Sequence, residues 1–117
     1  MNAGSAPHGI RIRHETHRLE LTYEDGACVS MPAELLRVFV PVPPPPPGHA
    51  PTLIPGKRLV RLLAAEPVGN YALRLKFSDG FDSGIYSWEF LRELGREQNI
   101  RWRRYLRLLE DAGLSRD

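Results

Sequence analysis

From His17 to Tyr23 apolar and polar residues alternate, with Leu19, Leu21 and Tyr23 on one side of the chain and Arg18, Glu20 and Thr22 on the other. A period of two predicts a strand with one buried face. Asp25-Gly26 follows, a pair suited to the positive φ angles of a tight hairpin turn, and "ACVSM" predicts the returning strand. Pro32 is tolerated in the first turn of a helix, where its missing donor is not needed. "PAELLRVF" therefore predicts a short helix that turns Leu35, Leu36 and Phe39 inward.

"VPVPPPPPGHAPTLIPGK" interrupts the pattern, because a proline run joins neither a helix interior nor a sheet centre; a Pro-rich loop is expected over 41–55. After Gly56, "KRLVRLLAAE" predicts a strand, and Pro67, Gly69 and Asn70 mark the turn into "YALRLKF". There Tyr71, Leu73, Leu75 and Phe77 alternate with Arg74 and Lys76, so the two segments are expected to pair. Asp79-Gly80 turns the chain into a short strand ending near Tyr86, and Ser87 is placed to cap the helix "WEFLRELGREQ". A last helix, "IRWRRYLRLLEDAG", puts Trp102, Leu106 and Leu109 on one stripe and ends at Gly113. The expected architecture is α+β: a small, mainly antiparallel sheet of hairpins, with a short helix and two C-terminal helices packed on it. Residues 1–16 read as a flexible arm, 17–113 as the domain and 114–117 as a tail.

"LTYEDGACVSMPAELLR" and "LKFSDGFDSGIYSWEFLR" echo each other across a one-residue gap: aromatic, Asp-Gly, short strand, then a helix with Glu, two apolar residues and Arg. The echo fits either a duplication or one hairpin–helix solution used twice.

At 117 residues the chain is long enough for one core and too short for an oxygenase or nucleotidase site beside it. Hydrophobic residues at 42% and charged residues at 26% argue against both disorder and membrane insertion. The first residues lack the apolar centre of a secretory signal, so a cytoplasmic setting is expected. Cys28 has no second cysteine to pair with and is expected as a half-buried structural thiol. A net charge of +2 with a pI near 9.0 does not call for capture of nucleic acid by the whole molecule.

The chemistry-bearing residues do not assemble a catalytic motif. In "RHETH", His14 and His17 stand three apart on an extended chain and face opposite sides, unlike the zinc-protease pattern of two histidines four apart on a helix. Glycines 26, 56, 69, 80 and 84 fall at turns and never form a phosphate-cradling loop. Asp79, Asp82 and Glu89 could do acid–base work only with split pKa values, and turn chemistry and a helix N-terminus already account for Asp79 and Glu89. Arg101, Arg103, Arg104 and Arg107 flank Trp102 and Tyr105, a mixture that can hold phosphate and stack on bases; Glu93, Glu97, Glu110 and Asp111 offset that charge. Pro43–Pro47 reads as a stiff loop, with a polyproline ligand as the other use.

"EPVGNYAL", "FSDG" and "SGIYSWEFL", with "LELTYEDG" and "ELLRVF" before them and "RWRRYLRLLEDAG" after, resemble the γ-butyrobetaine-hydroxylase-like N-terminal domain family over nearly all of 17–113. The resemblance implies a small α+β domain found alone in bacteria, in front of 2-oxoglutarate- and iron-dependent hydroxylase domains, and attached to some P-loop iron–sulfur carriers. It implies an accessory role, with no catalysis by this domain. Hydroxylase members carry a zinc site made from a cysteine cluster in the loop after the first helix and a histidine after the second Asp-Gly turn. Here the loop is "VPVPPPPPGHAP" and Phe81 stands in the histidine's place, so no metal or cofactor is expected; His49 alone cannot hold a structural zinc.

The candidate interaction residues are Tyr71, Tyr86, Trp88, Phe90 and Trp102, aromatics that serve either an interface or a core. The expected function is a non-catalytic accessory or protein-interaction domain, assisting iron–sulfur cluster handling or a metalloenzyme. The alternative is a small nucleic-acid-binding protein using the Arg-rich last helix; an enzyme acting through Asp79 and Asp82 ranks below both.

Overall fold

A computed structural model describes residues 6–41, 47–48 and 53–117. The fold is α+β, made, among the described residues, of two three-stranded antiparallel sheets, one short helix and one long one. β1 (Gly9–Arg13), β2 (Arg18–Thr22) and β3 (Cys28–Pro32) form the first sheet in that order, and α1 (Ala33–Val38) follows. β4 (Leu62–Val68), β5 (Ala72–Phe77) and β6 (Gly84–Ser87) form the second, and α2 (Trp88–Asp111) follows.

The alternation predicted for the central strands is the alternation observed except at Tyr71, which the period placed on the buried face and which is exposed on the turn before β5. Leu19 and Leu21 on β2, and Leu73, Leu75 and Phe77 on β5, are buried, and Tyr23 just beyond β2 joins them. Their cross-strand partners extend the same face: Leu19 lies opposite Met31 and Leu73 opposite Tyr86. Leu36, Leu91 and Leu94 cover it from the two helices, so one apolar cluster spans both sheets. A satellite cluster of Val38, Tyr105 and Leu109 is packed by Leu53, Ile54 and Trp102 and ties the loop before β4 to the far end of α2.

Five expectations are corrected. The arm placed at 1–16 contains β1, whose Ile12 packs on the core; an Ile-x-Ile alternation between arginines is too short a signal to separate from a loop until β2 supplies its ladder. The two C-terminal helices are one continuous helix of 24 residues. Gly95 and Asn99 lower helix propensity there, but Gly95 sits against Val29 and the Gln98 side chain donates to the Ser30 carbonyl at 3.1 Å, so packing carries the helix through. The buried stripe of α2 continues through Tyr105 and Leu109, and Leu106 is exposed. Residues 114–117 are no loose tail. The Gly56 and Arg58 amides donate to the Ser115 and Arg116 carbonyls, both at 3.0 Å, and Arg116 grips the buried Glu34 carboxylate with two bonds of 2.9 and 2.7 Å. Cys28 is exposed, because it opens β3 beside Thr22 on the outer face of the sheet.

Candidate functional site

At the start of α2 the chain builds a small aromatic recess. Ser87 caps the helix by accepting from the Phe90 amide at 3.1 Å, which fixes the direction of the first turn. The Trp88 amide donates to the Tyr71 carbonyl at 3.1 Å, and the Trp88 indole donates to the Asn70 carbonyl at 2.9 Å. Those two bonds tie the turn between β4 and β5 to the helix. Gly69, at φ 53°, keeps that turn open, since a Cβ there would meet the Tyr71 ring at 3.2 Å. The result is a recess of about 190 Å³ lined by Asn70, Tyr71, Ser87, Trp88 and Glu89. Tyr71 is 58% exposed and Trp88 only 6%, so the tyrosine is the part a visitor meets first. With the indole N–H already bonded and the Ser87 hydroxyl engaged as the helix cap, the recess offers aromatic surface, an amide and a carboxylate. That set suits recognition of a side chain, and no histidine stands beside Ser87 in the lining to act as its base.

A second cluster surrounds Asp79. Its Oδ1 accepts from the Phe81 amide at 3.1 Å, and its Oδ2 meets Arg37 Nε at 2.8 Å and Lys57 Nζ at 2.7 Å. Burial alone would raise this carboxyl, but the Lys57 ammonium, the Phe81 amide and the Arg37 guanidinium outweigh it and lower the pKa to about 2. Both oxygens are occupied and the group is held ionised at neutral pH. Such a carboxylate is a structural clasp between α1, the loop before β4 and the second turn, and it is not poised as a general acid or base. Asp82 takes no part in it, so the acid pair read from the sequence is not assembled.

The zinc site that the family resemblance implies does not fit the described residues. Phe81 has no donor atom; its ring packs 6.2 Å from Phe77 and lies under Arg37 at 4.3 Å. Among the described residues no three His, Cys, Asp or Glu side chains gather to hold a metal ion. His49 and Pro43 to Pro46 lie outside the described residues.

The five aromatics proposed for interaction separate on the structure. Tyr71 and Trp88 line the recess together. Tyr86 is wholly buried and donates to the Leu36 carbonyl at 2.7 Å; burial pushes its phenol well above the usual range. Phe90 is half-buried with its ring 6.0 Å from that of Tyr86. Trp102 is half-buried between Tyr105, 5.1 Å away, and the Arg116 guanidinium, 5.4 Å from its ring. On the outer side of α2, Arg101 is taken up by Glu93 and Glu97, whereas Arg96, Arg103, Arg104 and Arg107 are exposed and make no salt bridge among the described residues. Sequence reasoning missed Arg37, Lys57 and the Glu34–Arg116 pair, which join positions 20 or more residues apart. The one available signal was the Arg that closes each half of the internal echo.

The family model described as gamma-butyrobetaine hydroxylase-like, N-terminal, matches residues 10–92. A search of curated proteins finds no match. Among solved structures, one determined by NMR in solution is 40% identical with a TM-score of 0.84, covering 97% of this chain and 90% of its own. A second NMR structure is 37% identical with a TM-score of 0.83, covering 96% and 85%. A crystal structure of a protein of unknown function from Acidithiobacillus ferrooxidans, of the DUF971 family, is 34% identical with a TM-score of 0.66, covering 81% and 98%.

Proposed function

Because the chain belongs to the gamma-butyrobetaine hydroxylase-like N-terminal family, we propose that it works as a non-catalytic docking domain that presents the Tyr71–Trp88 recess to a protein partner. The observation that carries this reading is a largely exposed tyrosine over an aromatic-floored recess, on a turn that two hydrogen bonds hold to the helix. A preorganised aromatic anchor of this kind loses little freedom on binding. Asp79 supports the non-catalytic part, since its oxygens are occupied by Arg37, Lys57 and the Phe81 amide. The setting implied by the family resemblance is assistance to a metalloenzyme or to iron–sulfur cluster handling, with the partner bringing the metal and the chemistry. Among the described residues no helix is long and apolar enough to cross a membrane.

The row of exposed arginines on α2 favours a second reading, contact with nucleic-acid phosphates along the helix. Recovery of bound material from cell extract, with and without nuclease, separates the two. Docking predicts a protein recovered equally in both and lost with Tyr71→Ala. The phosphate reading predicts nuclease-sensitive recovery lost with Arg103→Glu and Arg107→Glu. Undiminished recovery by Tyr71→Ala overturns the docking reading.

A further inference from the structure

The two halves of the chain build the same object as far as the first turn of the helix, beyond which α1 ends after 6 residues and α2 runs on to 24. In each, three antiparallel strands in sequence order are followed without a break by a helix. Their registers coincide: Leu19 opposite Met31 and Leu21 opposite Val29 correspond to Leu73 opposite Tyr86 and Leu75 opposite Gly84. The Asp-Gly turns match bond for bond. Gly26 donates to the Tyr23 carbonyl at 3.0 Å and Gly80 to the Phe77 carbonyl at 3.1 Å. The Ala27 and Phe81 amides donate to Asp25 Oδ1 and Asp79 Oδ1 at 3.0 and 3.1 Å, and the two glycines have φ angles of 87° and 94°. The helix entries match as well. Pro32 and Ser87 stand at the N-cap positions with φ/ψ of −68°/152° and −65°/156°, Ser87 alone adding a side-chain bond, and the first helical amide returns to the residue before the middle strand, Ala33 to His17 at 2.8 Å and Trp88 to Tyr71 at 3.1 Å. The fifth residue of each helix is an arginine, Arg37 and Arg92.

Those arginines cross over. Arg37 of the first half reaches Asp79 of the second at 2.8 Å, and Arg92 of the second reaches Asp25 of the first at 3.8 Å; each also lies over a ring of that turn, Phe81 and Tyr23, which stand at different positions of the two turns, so the exchanged pair is arginine with aspartate. When a position on one unit meets a position on another and the same pair meets the other way round, the units are related by a two-fold axis. We infer that the chain is two copies of one three-strand-and-helix unit packed about an approximate two-fold axis, each copy's helix arginine clasping the other copy's Asp-Gly turn. Independent reuse of a hairpin–helix device requires no such exchange.

The pairing supplies an internal control, because what the shared scaffold needs stands in both copies. Asp, Gly and Arg of the clasp stand in both. Lys57 adds a further charge at the second turn, where the arginine contact is also the shorter of the two. Tyr71 and Trp88 occupy the positions of His17 and Ala33, which make the same backbone bond without an aromatic pair. The recess is therefore an addition to the scaffold; this corollary rests on the docking reading, whereas the repeat does not.

Amide hydrogen exchange, followed by NMR on the full chain, tests the exchange of arginines without any partner. Arg37→Ala is expected to speed exchange at Phe77 and Phe81 roughly three- to tenfold, the loss of one charge-assisted contact, while Tyr23 and Ala27 keep their wild-type rates. Arg92→Ala is expected to do the reverse, with a smaller effect for its longer contact. If an alanine variant does not fold, Arg37→Lys or Arg92→Lys, which keep the charge and lose the planar fork, gives the same pattern at lower amplitude. Acceleration in the arginine's own half, in both turns alike, or in neither overturns the inference.

Discussion

Gly95 lies inside α2, where a glycine-to-alanine change ordinarily stabilises. An exposed helix interior would gain about 0.8–1 kcal/mol from the better helix former. Here an added Cβ would stand 2.4 Å from Val29 Cγ1, far inside contact distance. The obstacle cannot easily turn away, since valine has restricted χ1 freedom and its strand is held in the ladder opposite Leu21. Overpacking of this kind costs about 1–3 kcal/mol, so Gly95→Ala should be net destabilising by roughly 0–2 kcal/mol. At about 1 kcal/mol the melting temperature of a domain this size falls by roughly 3–6 °C. Val29→Ala makes room at the same spot and should itself cost about 1–2 kcal/mol, being a partial large-to-small change. Denaturant unfolding of the wild type, both single variants and the double variant gives the coupling directly. The double variant should be more stable than the sum of the singles by about 1 kcal/mol or more, because the clash is gone and the helix gain remains. A Gly95→Ala protein that is more stable than wild type, with additive energies in the cycle, would show that α2 does not press on β3 here.

Trp88→Ala should destabilise by about 3–5 kcal/mol as a buried aromatic truncation, while Tyr71→Ala should stay within about 0.5 kcal/mol; thermal or denaturant melts of the two, run side by side, check that the recess has a structural floor and a dispensable rim. Asp79, with a folded pKa of about 2 against roughly 3.9 when unfolded, contributes stability that is fully present above the unfolded value and is lost as pH falls from about 4 through about 2. Asp79→Asn should therefore narrow the gap from wild type over that acid range, and a stability difference constant from pH 7 to pH 2 would refute the clasp's charge. Arg116→Ala should cost roughly 1–3 kcal/mol by leaving the buried Glu34 carboxylate without its partner, an effect that Glu34→Gln in the same chain should partly relieve in urea titrations. Elemental analysis of the purified protein is expected to find no stoichiometric zinc, Phe81 having no donor atom; zinc lost together with the fold on chelation would contradict this.

The period-two runs around Leu19 and Leu73, the two Asp-Gly turns and the Ser87 cap were legible because each signal lies within a few residues and needs no partner to be read. The family was legible for the same reason, in contiguous segments. β1 was not, since five residues form a strand only when β2 provides the ladder, and the unbroken α2 was not, since contacts with β3 override the weak propensity at Gly95 and Asn99. Of the five aromatics, composition alone could not separate anchor from core: Trp88 and Tyr86 are buried, and Tyr71 is exposed because it falls on the turn, before the first paired residue of β5, Ala72. The sequence determined by itself the local devices, the turns, the caps and the faces of the strands. Tertiary structure decided which charges meet, Arg37 with Asp79, Arg92 with Asp25 and Arg116 with Glu34, because long side chains find their partners only after packing has brought distant segments of the chain to within a few ångströms.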